Sequence, residues 1–160
     1  IHILINSASN FFPVPASQCD QHDWDIVQNT NLKGQFFLAQ ACASHMLQDG
    51  GVIVNLADVH GEKPLCNFTP YVVAKAGLLM LTKNLAIEWA PLIRVNSISP
   101  GAVLLPQSYT QEQKRDSLER TLLKRIGSPD DIVHAILFLL CNDYITGFDL
   151  KVDGGRILMP

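Results

Sequence analysis

Three side chains in this sequence have the types and the spacing for proton chemistry: Asp58, Tyr71 and Lys75. Tyr71 and Lys75 stand four residues apart, which puts them on one face of any helix that runs through both. Thr69 reads as an N-cap and Pro70 fits the first helical position, so a helix is predicted to begin there. An ammonium held near a phenol favours the phenolate. It lowers the phenol pKa and makes the hydroxyl a better proton donor near neutral pH. The same spacing also arises by chance on many helices, so the pair gains meaning only from what surrounds it.

Those residues must be held by a domain of ordinary size. The chain has 160 residues and reads as a single domain over 1–160, large enough for a proper core. It is 48% hydrophobic and 17% charged, which places it among globular chains. A net charge of −3 and the lack of a basic run argue against nucleic acid as a partner. Lys83, Asn84 and Glu88 interrupt one long apolar stretch, and Gln40 and His45 another, so no membrane span is predicted. The N-terminus lacks the pattern of a secretory signal. Cys19, Cys42, Cys66 and Cys141 are far apart, with no C-x-x-C and no His at ligand spacing. They read as free thiols in a reducing cytoplasm, and no metal site is expected.

In chain order, Ile1–Ile5 is a β-branched run that reads as a buried parallel strand, leading into Asn6-Ser7-Ala8-Ser9-Asn10. Small polar residues at the carboxyl end of such a strand are where open α/β sheets bind ligands, although an ordinary strand exit has the same look. Phe11-Phe12-Pro13-Val14-Pro15 could cover the core or offer an aromatic face to a flat ligand. Helices are predicted over about 20–30 and 31–48, the second apolar on more than one side and stopped by Gly50-Gly51. Val52–Leu56 is the next buried strand, with Asp58 just beyond it. The helix over about 71–89 is apolar nearly all round, so it lies deep in the domain or packs on another subunit. Ile93–Ser99 makes a third strand, followed by Pro100-Gly101. Thr110 and Gln113 form a predicted capping box, Ser128-Pro129-Asp130-Asp131 caps another helix, and Phe148–Val152 is the last strand. Strands alternating with helices imply a parallel sheet covered on both faces.

Four patterns coincide in order: Asn6-Ser7-Ala8-Ser9, Asn31-Leu32-Lys33-Gly34, Tyr71-x-x-x-Lys75, and Pro100-Gly101 after a strand. Together they resemble the short-chain dehydrogenase/reductase family over essentially the whole chain. Within it the likeness is greatest to bacterial pteridine reductases. It rests on Ser7 to Pro15, on Asp58-Val59-His60-Gly61-Glu62-Lys63-Pro64-Leu65, and on Val152-Asp153-Gly154-Gly155-Arg156. Most of the wider family has Ser where this chain has Asp58. The resemblance implies a Rossmann-like, doubly wound α/β fold and NADPH-dependent reduction of a dihydropterin or dihydrofolate-like substrate. Tyr71 would be the proton donor, and Lys75 would depress its pKa and hold the nicotinamide ribose. Asn31 would kink its helix and hold a relay water, and Asp58 would assist proton delivery to the pterin. Phe11 would stack the pterin against the nicotinamide, and Ser9 would hydrogen-bond to it. Ser7, Ala8, Pro100 and Gly101 would touch the cofactor largely through backbone.

The sequence also departs from the family pattern. Ser7 stands where Asn is usual, and the Gly-rich T-G-x-x-x-G-x-G turn that anchors the pyrophosphate is missing from residues 1–160. The chain is therefore expected to be the C-terminal portion of a reductase, with residues 1–5 forming a hydrophobic sheet edge. Two alternatives stand beside the pterin reading: a related reductase of a ketone, sugar or acyl thioester, and a non-catalytic assembly partner. Helices 31–48 and 71–89 suggest a homo-oligomer, dimer or tetramer. His60 could tune Asp58 or be a surface or loop histidine, and Arg156 could reach a neighbouring subunit's site or be solvated or structural.

Overall fold

The computed structural model describes residues 1–105, 107 and 109–159. Its centre is a parallel sheet of β1 (Ile3–Asn6), β2 (Gly51–Leu56), β3 (Ile93–Pro100) and β4 (Asp149–Val152), in the order β1-β2-β3-β4. Register pairs Asn6 with Asn55 and Asn55 with Ser97, so three buried polar residues form a row across β1, β2 and β3.

Successive strand residues point to opposite faces, and the two faces are covered by different helices. On one side Ile53 and Val95 pack against α2 (Gly34–Asp49) and α3 (Thr69–Glu88), through Ala39, Met46 and Leu85. On the other, Val54 and Ile98 meet Ala135 and Leu139 of α5 (Pro129–Cys141). Helices on both faces of a parallel sheet make a Rossmann-like α/β fold, as the strand–helix alternation implied. α1 (Gln21–Gln28) and the short α4 (Gln111–Glu119) also lie among the described helices; the expected capping box of Thr110 with Gln113 is formed, and the cap expected at Ser128 is a capping box too, with Asp131.

Several boundaries differ from the sequence reading. The helices expected over 20–30 and 31–48 form one continuous path. Asp20 caps α1, and a π-helical turn over Asn29–Lys33 joins it to α2. Thr69 is not an N-cap. Phe68 holds that position with no side-chain cap, and Thr69 and Pro70 already belong to α3. Pro70 still explains the start, because its missing N–H falls where no helical partner exists. Gly50 ends α2 with a φ of 84°, a conformation glycine adopts without steric cost. β1 pairs with β2 alone among the described residues, and Ile1 and Ile3 are exposed. α2 and α3 also leave apolar side chains outside: Phe37 and Leu38 on one, Val73, Met80 and Ile87 on the other.

Candidate active site

Asp58 leaves the carboxyl end of β2 and caps its own short turn, accepting from the backbone N–H of His60 at 2.8 Å through Oδ1. Its other oxygen, Oδ2, accepts from the hydroxyl of Tyr71 at 2.7 Å. Tyr71 sits in the first turns of α3 and is only 5% exposed. One turn on, Lys75 is 2% exposed and donates to the carbonyl of Leu56, the last residue of β2, at 2.7 Å. Its Nζ lies 5.7 Å from the centroid of the Tyr71 ring. The sheet end and the helix start therefore bring Asp58, Tyr71 and Lys75 together.

The electrostatics correct one expectation. Burial raises the Tyr71 pKa far above the ordinary phenol value, and the negative charge and hydrogen bond of Asp58 raise it further. The hydroxyl of Ser9 pulls slightly the other way. Lys75 does not depress it. The ammonium is bound to the Leu56 carbonyl and is itself pushed down to about 8 by burial, with Asp58 partly opposing. Resting Tyr71 is therefore a protonated donor to a carboxylate.

The other expected residues divide between clamp, rim and wall. Asn31, fully buried in the π-helical turn, accepts from the backbone N–H of Asn10 at 2.7 Å and donates to its carbonyl at 2.8 Å. The kink is present, and both ends of the side-chain amide bond the loop that carries Ser9 and Phe11. Gln35 adds a bond to the carbonyl of Ala8 at 2.8 Å. Ser7, Ala8 and Ser9 lie exposed at the rim beyond β1, and Pro100 and Gly101 close β3. A Cβ at Gly101 would come within 2.8 Å of the Asp153 backbone, so only glycine fits that close approach. Phe11 lies face to face with Phe68 at 4.4 Å and edge-on to Tyr71 at 4.8 Å. One face of its ring is thus already covered.

Asp58 and Tyr71 open into a cleft of about 220 Å³, walled also by Phe11, His60, Gly101 and Arg156. A larger hollow, about 370 Å³ around Thr121, Arg125, Lys151 and Gly154, contains neither of them. Sequence reasoning missed Tyr109 and Ser117 on the cleft wall. Both come from the segment around α4, where no spacing ties them to Tyr71. The ring of His60 turns its Nδ1 to the Lys63 carbonyl at 3.2 Å, so the backbone of His60 and not its imidazole touches Asp58. Among the described residues no group of three or more His, Cys, Asp or Glu could hold a metal, and no helix is long and apolar enough to cross a membrane.

Residues 1–156 match the family model described as enoyl-(acyl carrier protein) reductase. The chain is 36% identical to 3β-hydroxysteroid dehydrogenase 1 of Eggerthella lenta, across 100% of this chain and 65% of that protein. It is 34% identical to a 3-oxoacyl-[acyl-carrier-protein] reductase of Thermotoga maritima, across 99% of this chain and 67% of the relative. A gluconate 5-dehydrogenase from Burkholderia cenocepacia, solved in complex with NADP and tartrate, superposes with a TM-score of 0.94 at 30% identity, covering 100% of this chain and 66% of that one. The chain thus spans about two thirds of the length of these relatives. With the parallel sheet, the Tyr71–Lys75 pair on α3 and these matches together, the chain belongs to the short-chain dehydrogenase/reductase family.

Proposed function

We propose that the protein reduces a small carbonyl compound with NADPH, using Tyr71 as the proton donor. The observation that carries this reading is the 2.7 Å hydrogen bond from the Tyr71 hydroxyl to Asp58 in an open cleft. A phenol whose pKa is raised by burial and by a carboxylate keeps its proton throughout the neutral range. The resting hydroxyl thus carries the proton that a carbonyl oxygen needs as it is reduced, although the raised pKa makes it a weaker acid than a free phenol.

The residues at the rim fit a nicotinamide nucleotide. The Lys75 ammonium has three N–H donors and, among the described residues, one acceptor, the Leu56 carbonyl. A buried cation with unused donors suits the hydroxyls of a ribose. Ser7, Ala8, Ser9, Pro100 and Gly101 would hold the nucleotide largely through backbone groups. When bound, the nicotinamide supplies the hydride to the carbonyl carbon. Tyr71 then transfers its hydroxyl proton to the carbonyl oxygen, exchanging Asp58 for the substrate as its hydrogen-bond partner. Asp58 holds the phenol in place beforehand, and Asn31 fixes the loop that forms the opposite lip. NADP in the gluconate dehydrogenase supports the phosphorylated cofactor.

The names of the three relatives point to a steroid, an acyl chain and gluconate. A cleft of about 220 Å³ lies below the range of roughly 300–1,000 Å³ usual for drug-sized ligands, which favours a sugar acid or a short acyl group. A pterin is the second reading. Asp58 in place of a hydroxyl could accept from ring N–H groups, and the Phe11 ring offers a partly open aromatic edge. The apolar side chains exposed along α2 and α3 support self-association into a dimer or tetramer through the stretches 31–48 and 71–89.

The test is NADPH oxidation by the purified protein with short oxo acids, keto-sugar acids, acyl thioesters and dihydropterin. Turnover of a small carbonyl compound supports the main reading. A dihydropterin preferred over all of them puts the second reading first. No turnover of any, with the fold intact and NADPH shown to bind, favours a non-catalytic assembly role.

A further inference from the structure

Building on the reductase reading, we infer that Arg156 is the substrate-recognition residue of the cleft and that the preferred substrate carries a carboxylate apart from the carbonyl that is reduced. Arg156 opens a 3-10 turn (Arg156–Leu158) just after β4, and the chain is shaped to deliver it. Gly154 and Gly155 take φ of 60° and 81°. Asp153 then ties down the turn, accepting from the N–H groups of Gly155 and Ile157, each at 2.8 Å. Arg156 lines the same cleft as Asp58 and Tyr71.

Its bonding leaves it unfinished. One N–H donates to the Ser117 carbonyl on α4 at 3.2 Å, and among the described residues Arg156 makes no ion pair. Four of its five donors have no partner there, and those donors form a planar fork suited to a carboxylate. Both carboxylate oxygens of Asp153 are turned to backbone N–H groups. The Lys63 ammonium donates to the backbone carbonyls of Arg156 and Met159, so it is held by main chain and not in the cleft.

The two charges on the cleft wall then orient a ligand. Asp58 follows β2 and Arg156 follows β4, strands separated by β3 and so about 10 Å apart at the usual strand spacing. Asp58 repels a substrate carboxylate and Arg156 attracts it. The anion therefore settles on Arg156, and the carbonyl falls to Tyr71.

The experiment compares pyruvate, acetoacetate and levulinate with their amides, in the wild type, Arg156→Met and Arg156→Lys. In the wild type the best acid exceeds its amide in kcat/KM by about 10- to 100-fold. R156M abolishes that preference, bringing kcat/KM for the acid down to about that of its amide. R156K keeps the charge but loses the fork, and falls between. Calorimetric binding of the same acids and amides without NADPH reads the anion site separately from turnover. Acid-selective binding lost in R156M, with no reduction of any carbonyl, would remove the reductase reading and keep this one. No acid preference in the wild type, or a preference unchanged in folded R156M and R156K, would overturn it.

Discussion

The hydroxyl of Tyr71 donates to Oδ2 of Asp58 at 2.7 Å, while Oδ1 of the same carboxylate is held by the backbone N–H of His60. Both oxygens of Asp58 are thus committed before any ligand arrives. The phenol is aimed by a carboxylate that is itself aimed by the main chain. This chain of bonds runs from the end of β2 to the start of α3, and the reactivity of the cleft depends on it.

Replacing Asp58 with Asn tests the electrostatic part of that arrangement. The negative charge raises the Tyr71 pKa, so its removal lowers it, while burial, the larger cause, continues to hold it above the ordinary phenol value. Ultraviolet titration of the tyrosinate band in D58N, against the wild type and Tyr71→Phe, should show one phenol ionising at lower pH than in the parent. An unchanged titration would mean that Asp58 does not set the state of Tyr71.

Lys75 makes a prediction about stability. Its pKa falls from 10.5 unfolded to about 8 in the fold, so between these values the unfolded chain binds the extra proton. Stability from this group therefore rises as pH climbs from about 8 to about 10.5, and the burial penalty is fully present below that window. The gap corresponds to at most about 3 kcal/mol. Urea midpoints for the wild type and Lys75→Met, measured across that range, should converge as pH increases. Parallel curves would contradict the buried, charge-penalised lysine.

Asn31→Ala removes both hydrogen bonds to the Asn10 backbone and leaves buried groups unpaired. A loss of about 2–4 kcal/mol is expected. Hydrogen exchange should speed up in residues 7–12 more than in the sheet. If the loss were spread evenly, Asn31 would be an ordinary core residue and not a loop clamp.

Much of this was legible in the sequence, and the reason is local. Tyr71 and Lys75 share a helix face because four residues make about one turn, and Pro70 marks where that helix starts. The strands announced themselves as β-branched runs. What stayed hidden depended on where side chains meet across the fold. Lys75 reaches back to Leu56 instead of up to the phenol hydroxyl, and no spacing could reveal a backbone carbonyl nineteen positions earlier as its partner. The π-helical turn at Asn29–Lys33 looks in sequence like two helices, because the extra residue per turn leaves no compositional mark. Arg156 and Ser117 lie far apart in the chain and meet only because the turn after β4 folds against α4.

Gly101→Ala tests the packing at the end of β3. The added methyl meets the Asp153 backbone at 2.8 Å, where nothing flexible can yield. A loss of roughly 1–3 kcal/mol is expected in thermal or urea melts. Activity should fall too, since Gly101 lines the cleft. A variant as stable as the parent would show that the close approach relaxes in solution.

The role given to Tyr71 is tested most directly by single-turnover reduction of the best carbonyl substrate with Tyr71→Phe. The variant keeps the ring and its edge contact with Phe11 but has no proton to give. A fall of roughly 10²- to 10⁴-fold in the reduction rate, with an unchanged melt, is the expected result. A rate within a few fold of the wild type would mean that the proton comes from elsewhere.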